Sequence, residues 1–391
     1  MQVTHTPSHH VTRPMSRLRR QLQSGVIVCL SVAFIVAIPF AACAAGTKGF
    51  LETLHNQTIV ASTVPSNGDQ NPYAIVVAPV SAGTIKKGDV LVDNFNDKSN
   101  LQGLGTTIVD IDAATKQLHV FAAIPRHLPQ CPGGVGLTTA MTILKTGWVI
   151  VGSLPSSDGT TSTKGAGCLV ILDSSGKIAG AFADPNINGP WGNMAVIDNG
   201  TTATLFVSNT GFGVGSPGSD VVKKATVLRL DLDIFTSGKA PTLKKETVIA
   251  SGFGEQADKD VFIIGPTGLA LRGTTLYVSD ALGNRIAAIP NAVERTDSAG
   301  TGRDVTKDGL LKRPLAMTVA RNGHLLVVNG LNGQVVEINP ATGEQIYARW
   351  IDPNKAQTPP GSGDLFGIAM TPRGDGFYYV EDEVNMLVLA Q

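Results

Sequence analysis

The chain is poor in charge, in aromatic rings and in the side chains that usually carry chemistry. Of its 391 residues 16% are Asp, Glu, Lys or Arg and 5% are Phe, Trp or Tyr, with 4 Cys, 3 Trp and 7 His. No segment sustains a helical period of apolar residues, which excludes helical packing as the main architecture. Basic residues are in no excess. Arg13, Arg17, Arg19 and Arg20 precede the first acidic residue, Glu52, and the remaining 27 basic residues face 31 acidic ones. Nothing in that balance argues for a nucleic-acid partner, and none is expected. Past the N-terminal region the histidines are His55, His119, His127 and His324, without the His-x-x-x-His or Glu-x-x-His spacing of a zinc site. No Gly-x-Ser-x-Gly elbow with a triad order is present. GFGVG from Gly211 lacks the strand-to-helix context of a dinucleotide fingerprint.

What is abundant is turn-forming residue, 44 Gly and 22 Pro, and a phrase that recurs six times. Its first half reads PYAIVVAP from Pro72, VGLTTAMTI from Val135, PWGNMAVI from Pro190, PTGLAL from Pro266, RPLAMTV from Arg313 and LFGIAMTP from Leu365. Its second half is a strand ending in a small polar or acidic residue: Asn94, Ser153, Asn209, Asp280, Asn329 and Asp382. Self-similarity at roughly 50 to 70 residues, with strands too short to bury a face alone, predicts stacked or radial units. A third strand follows in every unit, and a fourth in units one, two, three and five. Unit four has only the charged, Gly-rich stretch 294–309 at that point, so its outer strand is expected to be weak or replaced by a loop. Unit six ends at its third strand, MLVLAQ, while QTIVASTV from Gln57 stands unassigned before the first repeat. Pairing the two would complete the last blade and leave no sheet edge. The expected fold is an all-β, six-bladed propeller over residues 50–391, closed by an N-terminal strand.

The four arginines are followed by an apolar run from Val26 to Ile38 and the small residues FAACAAG, the pattern of a secretory signal peptide over residues 1–44. Three endings stay open: cleavage after the small residues Ala42, Cys43 and Ala44, lipidation of Cys43 at a lipobox-like site, or an uncleaved anchor. The protein is therefore expected to be exported, periplasmic or extracellular, touching a membrane only through its N-terminus. In an exported chain the remaining pair, Cys131 and Cys168, favours a disulfide over two buried thiols. Cys131 lies just before the first strand of its unit and Cys168 opens the third, ends that share one face of an antiparallel blade.

In such a ring the loops after the second strands share a rim with the loops that enter the inner strands. Those after Asn94, Ser153 and Asn209 are long and the other three are short, so blades one to three raise one wall of a cleft. The strand-end residues could form an oxygen ring for Ca²⁺, with Asp280 and Asp382 as its carboxylates. Alternatively they serve each unit's own turn. Trp191, at the tunnel entrance, either stacks on a flat ligand or plugs and packs the blades.

PTGLALRGTTLYVSDALGNRIAAI resembles the NHL repeat, with Pro266, Gly268, Tyr277, Asp280, Asn284, Arg285 and Ile286 at matching positions. RPLAMTVARNGHLLVVNGLNGQVVEI is a looser copy. The resemblance implies a propeller and a choice of activities. Relatives include protein-interaction scaffolds, sugar-lactone hydrolases with a Glu, Asn and Asp metal set in the tunnel, and lyases with a tunnel His and a metal. The hydrolase pattern requires an acidic residue at the start of an inner strand, and the six inner segments have none. A quinone-cofactor propeller would have more blades and more than three Trp. The reading is a monomeric binding or interaction module of the cell envelope, engaging a protein or small molecule at the rim over blades one to three. The alternative is a metal-dependent hydrolase or lyase acting on a small cyclic or sugar-like substrate at the tunnel mouth. No cofactor is expected beyond the Ca²⁺ option.

Overall fold

A computed structural model describes residues 49–391. The expected signal peptide over residues 1–44, with Cys43, lies outside the described residues. Among those described, no helix is long and apolar enough to cross a membrane, and helix is limited to the two short turns Leu51–Thr53 and Thr161–Thr163.

Six antiparallel sheets follow one another along the chain. Blade one is Gln70–Val77, Val90–Asn96, Thr107–Asp112 and Gln117–Ala123, and blade two is Leu137–Ile143, Val149–Ser153, Cys168–Leu172 and Ile178–Phe182. Blade three is Ala195–Asp198, Thr202–Asn209, Val222–Asp233 and Thr242–Asp258, with an added strand Phe262–Ile264. Blade four is Pro266–Arg272, Thr275–Asp280, Arg285–Ile289 and Arg303–Lys307. Blade five is Pro314–Val319, Leu325–Asn329, Gln334–Ile338 and Gln345–Trp350. Blade six takes Leu365–Met370, Phe377–Glu381 and Met386–Ala390 from the C-terminus, and its outer strand is Gln57–Ser62.

Closure by the N-terminal strand is as expected, with Gln57 opposite Ala390 and Ser62 opposite Met386. Two expectations need correction. Blade four does have an outer strand, because Arg303–Lys307 pairs with Arg285–Ile289 through its backbone, although its sequence RDVTK carries no apolar alternation. The sixth strand-end position is also not Asp382. Pro72 lies opposite Asn94, Leu137 opposite Ser153, Pro266 opposite Asp280 and Pro314 opposite Asn329, and in the same register Leu365 lies opposite Glu381.

The middle strands bury both faces because each blade packs against two neighbours. One cluster joins Leu91, Ile108 and Phe121 of blade one to Leu137, Val149 and Val170 of blade two. Around the tunnel no backbone ladder joins one blade to the next, and side chains supply the links. Thr138 Oγ1 donates to Pro190 O (2.6 Å), Ser208 Oγ to Thr267 O (2.7 Å) and Ser279 Oγ to Leu315 O (2.5 Å). The Asn193 amide bridges blades three, four and five, donating to Leu269 O and Met317 O and accepting from the Met317 N–H.

The closing segment buries Leu51, Leu54 and Val60. Deleting residues 50–64 exposes those contacts and a sheet edge, so the melting temperature should fall by more than about 10 °C. An unchanged melt would refute closure as the source of the ring's stability.

Candidate functional site

The strand-end residues are committed to their own neighbourhoods. Asn94 Nδ2 donates to Thr63 O (2.9 Å), and Ser153 Oγ accepts the Gly136 N–H (3.0 Å). Asn209 Oδ1 accepts the Gly189 N–H (2.7 Å), and Asn329 Oδ1 that of Lys312 (2.9 Å). Asp280 accepts from the Gly283 N–H (3.0 Å) and pairs with Arg285 (2.8 Å). Each side chain thus fastens a turn or the loop entering an inner strand, the task that recurs in every unit. Asp382 lies apart, beside Asp364 and Glu383.

At the same end the tunnel is sealed by an aromatic plug. Tyr73 stacks on Phe95 at 4.5 Å and lies 4.1 Å from Phe366, centroid to centroid. Trp191 meets Tyr73 and Phe95 edge-on at 5.8 and 5.5 Å and faces Phe262 at 6.2 Å. Trp191 is 4% exposed, so its place is in the plug and no face is free for a ligand. Phe262 comes from the extra hairpin of blade three, where Asp258 lies opposite Phe262. Its φ of 64° is in the left-handed region, which a bulky residue adopts only when its surroundings demand it. Burying this ring in the plug is such a demand.

Beyond the plug the tunnel opens at its other end into a cavity of about 460 Å³, lined by the ends of all six inner strands. Its wall is apolar apart from threonines and Asn193, and no titratable side chain lines it. The void directly under the plug is about 10 Å³, and its one charged neighbour is Arg313. Neither space offers the carboxylates that Ca²⁺ needs. Asp280, already paired with Arg285, and Asp382 do not supply them, and among the described residues no three His, Cys, Asp or Glu side chains converge on one point. A calcium ion therefore does not fit the tunnel.

The rim over blades one to three has different chemistry. The long loops 97–106, 154–167 and 210–221 stand there, and the Cys131–Cys168 disulfide, with a Cα separation of 5.7 Å, ties the loop entering blade two to its third strand. Beside it lies a pocket of about 300 Å³ lined by Arg126, His127, Ser156, Ser157, Thr163 and the backbone of Gly133, Gly134 and Gly165. The two loops meet backbone to backbone: a Cβ on Gly133 would collide with Ala166 O. Arg126 is oriented by Asp97 at 3.1 Å.

Adjoining this pocket, Glu255 of the blade-three extension is fully buried. Its Oε2 accepts the Gly211 and Phe212 N–H groups, and Oε1 has no partner. GFGVG is thus a carboxylate cradle, and its Val214 packs into the plug cluster. Burial pushes Glu255 up to about 7, against the pull of those N–H groups and of Lys164 and Lys224. Burial also draws Lys164 down, while Glu255 opposes the shift.

Arg126, Lys164 and Glu255 were not singled out in the sequence, since two come from separate loops and the third from the outer strand of blade three, at no telling spacing. The run DVFII after the outer strand of blade three was the one available sign of the plug hairpin.

No protein-family model and no curated protein sequence matches the chain. Solved structures do. A gluconolactonase from Xanthomonas campestris superposes with a TM-score of 0.51 at 12% identity, over 86% of this chain and 88% of its own. A luciferin-regenerating enzyme superposes with a TM-score of 0.50 at 12% identity, over 86% of this chain and 95% of its own. At such identity the likeness carries the six-bladed fold and nothing of the site.

Because the folded-state value of Glu255 lies above the unfolded one, stability is lost as pH rises from about 4.5 to about 7 and is level above. Glu255→Gln removes that contribution. Its melting temperature should fall less than wild type's between pH 5 and pH 8, a difference of about 1–3 kcal/mol at pH 8. Parallel melting curves would show that Glu255 does not titrate in this range.

Proposed function

We propose that this protein is an exported binding propeller that holds a polar, anionic group of a small molecule or protein partner in the rim pocket beside Arg126 and His127. The observation that carries the reading is the division of chemistry along the tunnel axis. The tunnel wall has no titratable side chain and its rim end is plugged by Tyr73, Trp191, Phe262 and Phe366. A guanidinium, an imidazole and hydroxyls collect instead in the pocket between the loops. Such donors suit carboxylate, sulfate or phosphate oxygens, and Arg126 adds the fork geometry that binds them in pairs. The disulfide and the glycine contact hold the pocket in shape before a ligand arrives, which limits the ordering cost of binding. The NHL likeness of blades four and five is compatible with this reading and leaves the ligand open.

One observation favours a second reading, a hydrolase or lyase acting on a small cyclic substrate. Glu255 and Lys164 form a rim pair whose ionisations burial shifts toward each other, as acid–base catalysis at neutral pH requires. Such an enzyme would work through the rim loops and not through the tunnel.

The test is a thermal melt of the full chain with sulfate, inorganic phosphate, gluconate and glucono-1,5-lactone. An anion at about 100 times its dissociation constant should add roughly 2.7 kcal/mol. Arg126→Ala should abolish that gain and leave the ligand-free melt within about 1 kcal/mol of wild type, since the Asp97 pair is half exposed. Lactone opening lost in Glu255→Gln, without anion stabilisation, would put the second reading first.

A further inference from the structure

Toward the face of the ring opposite the rim, blade one buries a carboxyl group that nothing in the protein completes. Asp110 stands in the third strand of the blade, opposite Leu91 on one side and His119 on the other. It is 7% exposed, its Oδ1 is buried without a donor, and among the described residues no hydrogen bond or ion pair reaches either oxygen. The same register position in the other blades gives the comparison. Blades two, four and six place Ile171, Ala288 and Leu389 there, blade three Arg229 and blade five Glu337. Arg229 pairs with Asp231 (3.2 Å) and donates to the carbonyls of Ala292, Val293 and Arg295. Glu337 accepts the Phe50 and Leu51 N–H groups and is met by Asn322 and His324 as well. A buried charge without partners is costly, and Asp110 is the one charged residue of this layer that lacks them.

Asp110 lines a cavity of about 340 Å³ whose other polar side chains are Asp89, Asp112, Lys86, His119, Thr84 and Ser175. Contacts between blades one and two hold it in shape. Thr84 donates to Ser174 O from both its N–H (2.9 Å) and its Oγ1 (3.2 Å), and a Cβ on Gly176 would collide with Phe121 O. Two of the carboxylates are partly used. Asp89 Oδ2 accepts the Lys86 N–H (2.9 Å), and Asp112 accepts the Ala114 and Thr115 N–H groups at 3.0 Å each and the Lys86 ammonium at 3.3 Å. Asp89 Oδ1 and the whole Asp110 carboxyl are left, so three carboxylates share one ammonium. Burial first, and then Asp89, pushes Asp110 up to about 7, with Lys86 pulling the other way.

A carboxyl without partners, facing a preformed and net acidic cavity, calls for a cation, and the cavity decides its kind. Among the described residues no three carboxylate or imidazole groups converge closely enough to hold a metal ion. Val120 and Phe121 line the same space and offer an apolar surface to an aliphatic stem. We propose that this cavity is a binding site for a small primary amine, its ammonium held by Asp110 and the free oxygen of Asp89 and its stem lying on Val120 and Phe121. An ammonium group has three N–H donors. The third meets a hydroxyl, because Thr84 and Ser175 already donate their protons, to Ser174 O and to Asp173 (2.7 Å), and can only accept. Lys86 shows the recognition at work within the protein, with its own ammonium on Asp112 in the same cavity.

The test is calorimetric titration of the full chain with n-butylamine, with 1-butanol as the uncharged counterpart, KCl at equal ionic strength as the salt control and Nα-acetyl-lysine amide as a model of a protein-borne ammonium. Butylamine should bind and butanol should not. Asp110→Asn should weaken butylamine at least about tenfold, as loss of a charge-assisted hydrogen bond requires. Without ligand that variant should melt within about 3 °C of wild type, since the carboxylate it removes has no partner to lose. Lys86→Met changes an exposed side chain and removes the competing ammonium, so it should tighten butylamine at low salt, which separates binding from folding by a second route. No heat with butylamine in wild type would overturn the proposal. So would binding unchanged in Asp110→Asn, or an effect that KCl reproduces. Binding of the acetyl-lysine amide in place of butylamine would overturn a free amine as the ligand and assign the ammonium to a lysine of a protein partner.

Discussion

Closure of the ring is the constraint on which the rest of the structure depends. Inner strands of neighbouring blades share no ladder, so their spacing around the tunnel is set by six sheets packing face to face with none left open. The contact that completes the circle joins the two ends of the folded chain: His55 and Asn56 N–H donate to Gln391 O at 2.7 Å each, and Gln391 N–H returns to Asn56 O at 2.9 Å. A second anchor lies one blade away. Glu337, fully buried, accepts the Phe50 and Leu51 N–H groups at 2.9 Å each, with Asn322 and His324 on the same carboxylate. Burial alone would raise it, but these donors outweigh burial and hold it below its ordinary value. The charged form is the folded form, so this anchor is intact above the unfolded pKa and weakens as pH falls through the folded one. The closing segment is therefore fixed to blades five and six together.

A closed ring of this size leaves a tunnel, and the protein fills it at one end. Asn193 spans three blades with hydrogen bonds to backbone that no ladder satisfies, and the aromatic plug stands over the strand starts. Both devices strengthen the ring, and the plug removes the rim end of the tunnel as a place for polar chemistry. Function is thereby moved outward, to the loops in which the units differ. Residues repeated in every unit, such as Asn94, Asn209 and Asn329, serve the unit. Residues found in one unit only, such as Arg126, Lys164 and Glu255, are free to serve a ligand.

The same division explains what could be read from the sequence. Strand pairs, blade number, closure and the disulfide follow from alternation and repetition, which are local and recur six times. The plug hairpin was not legible because it departs from the repeat: Phe262–Ile264 is an extra strand that no other blade has, and the left-handed turn at Phe262 that folds it back has no sequence signal. Arg303–Lys307 was missed for the opposite reason, since an exposed outer strand is held by its ladder and needs no apolar face. The Asp382 position went astray by one residue within the acidic run Glu381, Asp382 and Glu383, where composition does not mark the last paired residue; the bulge between Leu365 and Ile368 recurs in blades one, four and five and is not the cause. The rim pocket is assembled from loops far apart in sequence, and only the fold brings them together.

The buried acids differ in how their cost is met, and the difference ranks them. Asp93 sits one residue before Asn94, where blades three and four have Ser208 and Ser279. It accepts the Ala74 N–H (2.9 Å), and burial pushes its carboxyl well above the ordinary value against the pull of that bond. Asp110, pushed up to about 7 by burial and Asp89, lines an open cavity of about 340 Å³ that also contains Lys86, where water and an ammonium group are at hand. Glu255 has two N–H donors and two nearby lysines. Asp352 and Asp364 have amide donors but no positive charge, and their carboxylic neighbours make the local field worse. A buried like-charge pair at effective dielectric 20 repels by about 4 kcal/mol at 4 Å, more than an amide hydrogen bond returns. Of the four sites, the Asp352–Asp364 pair is therefore the one in which a carboxyl is raised by direct contact with another acid.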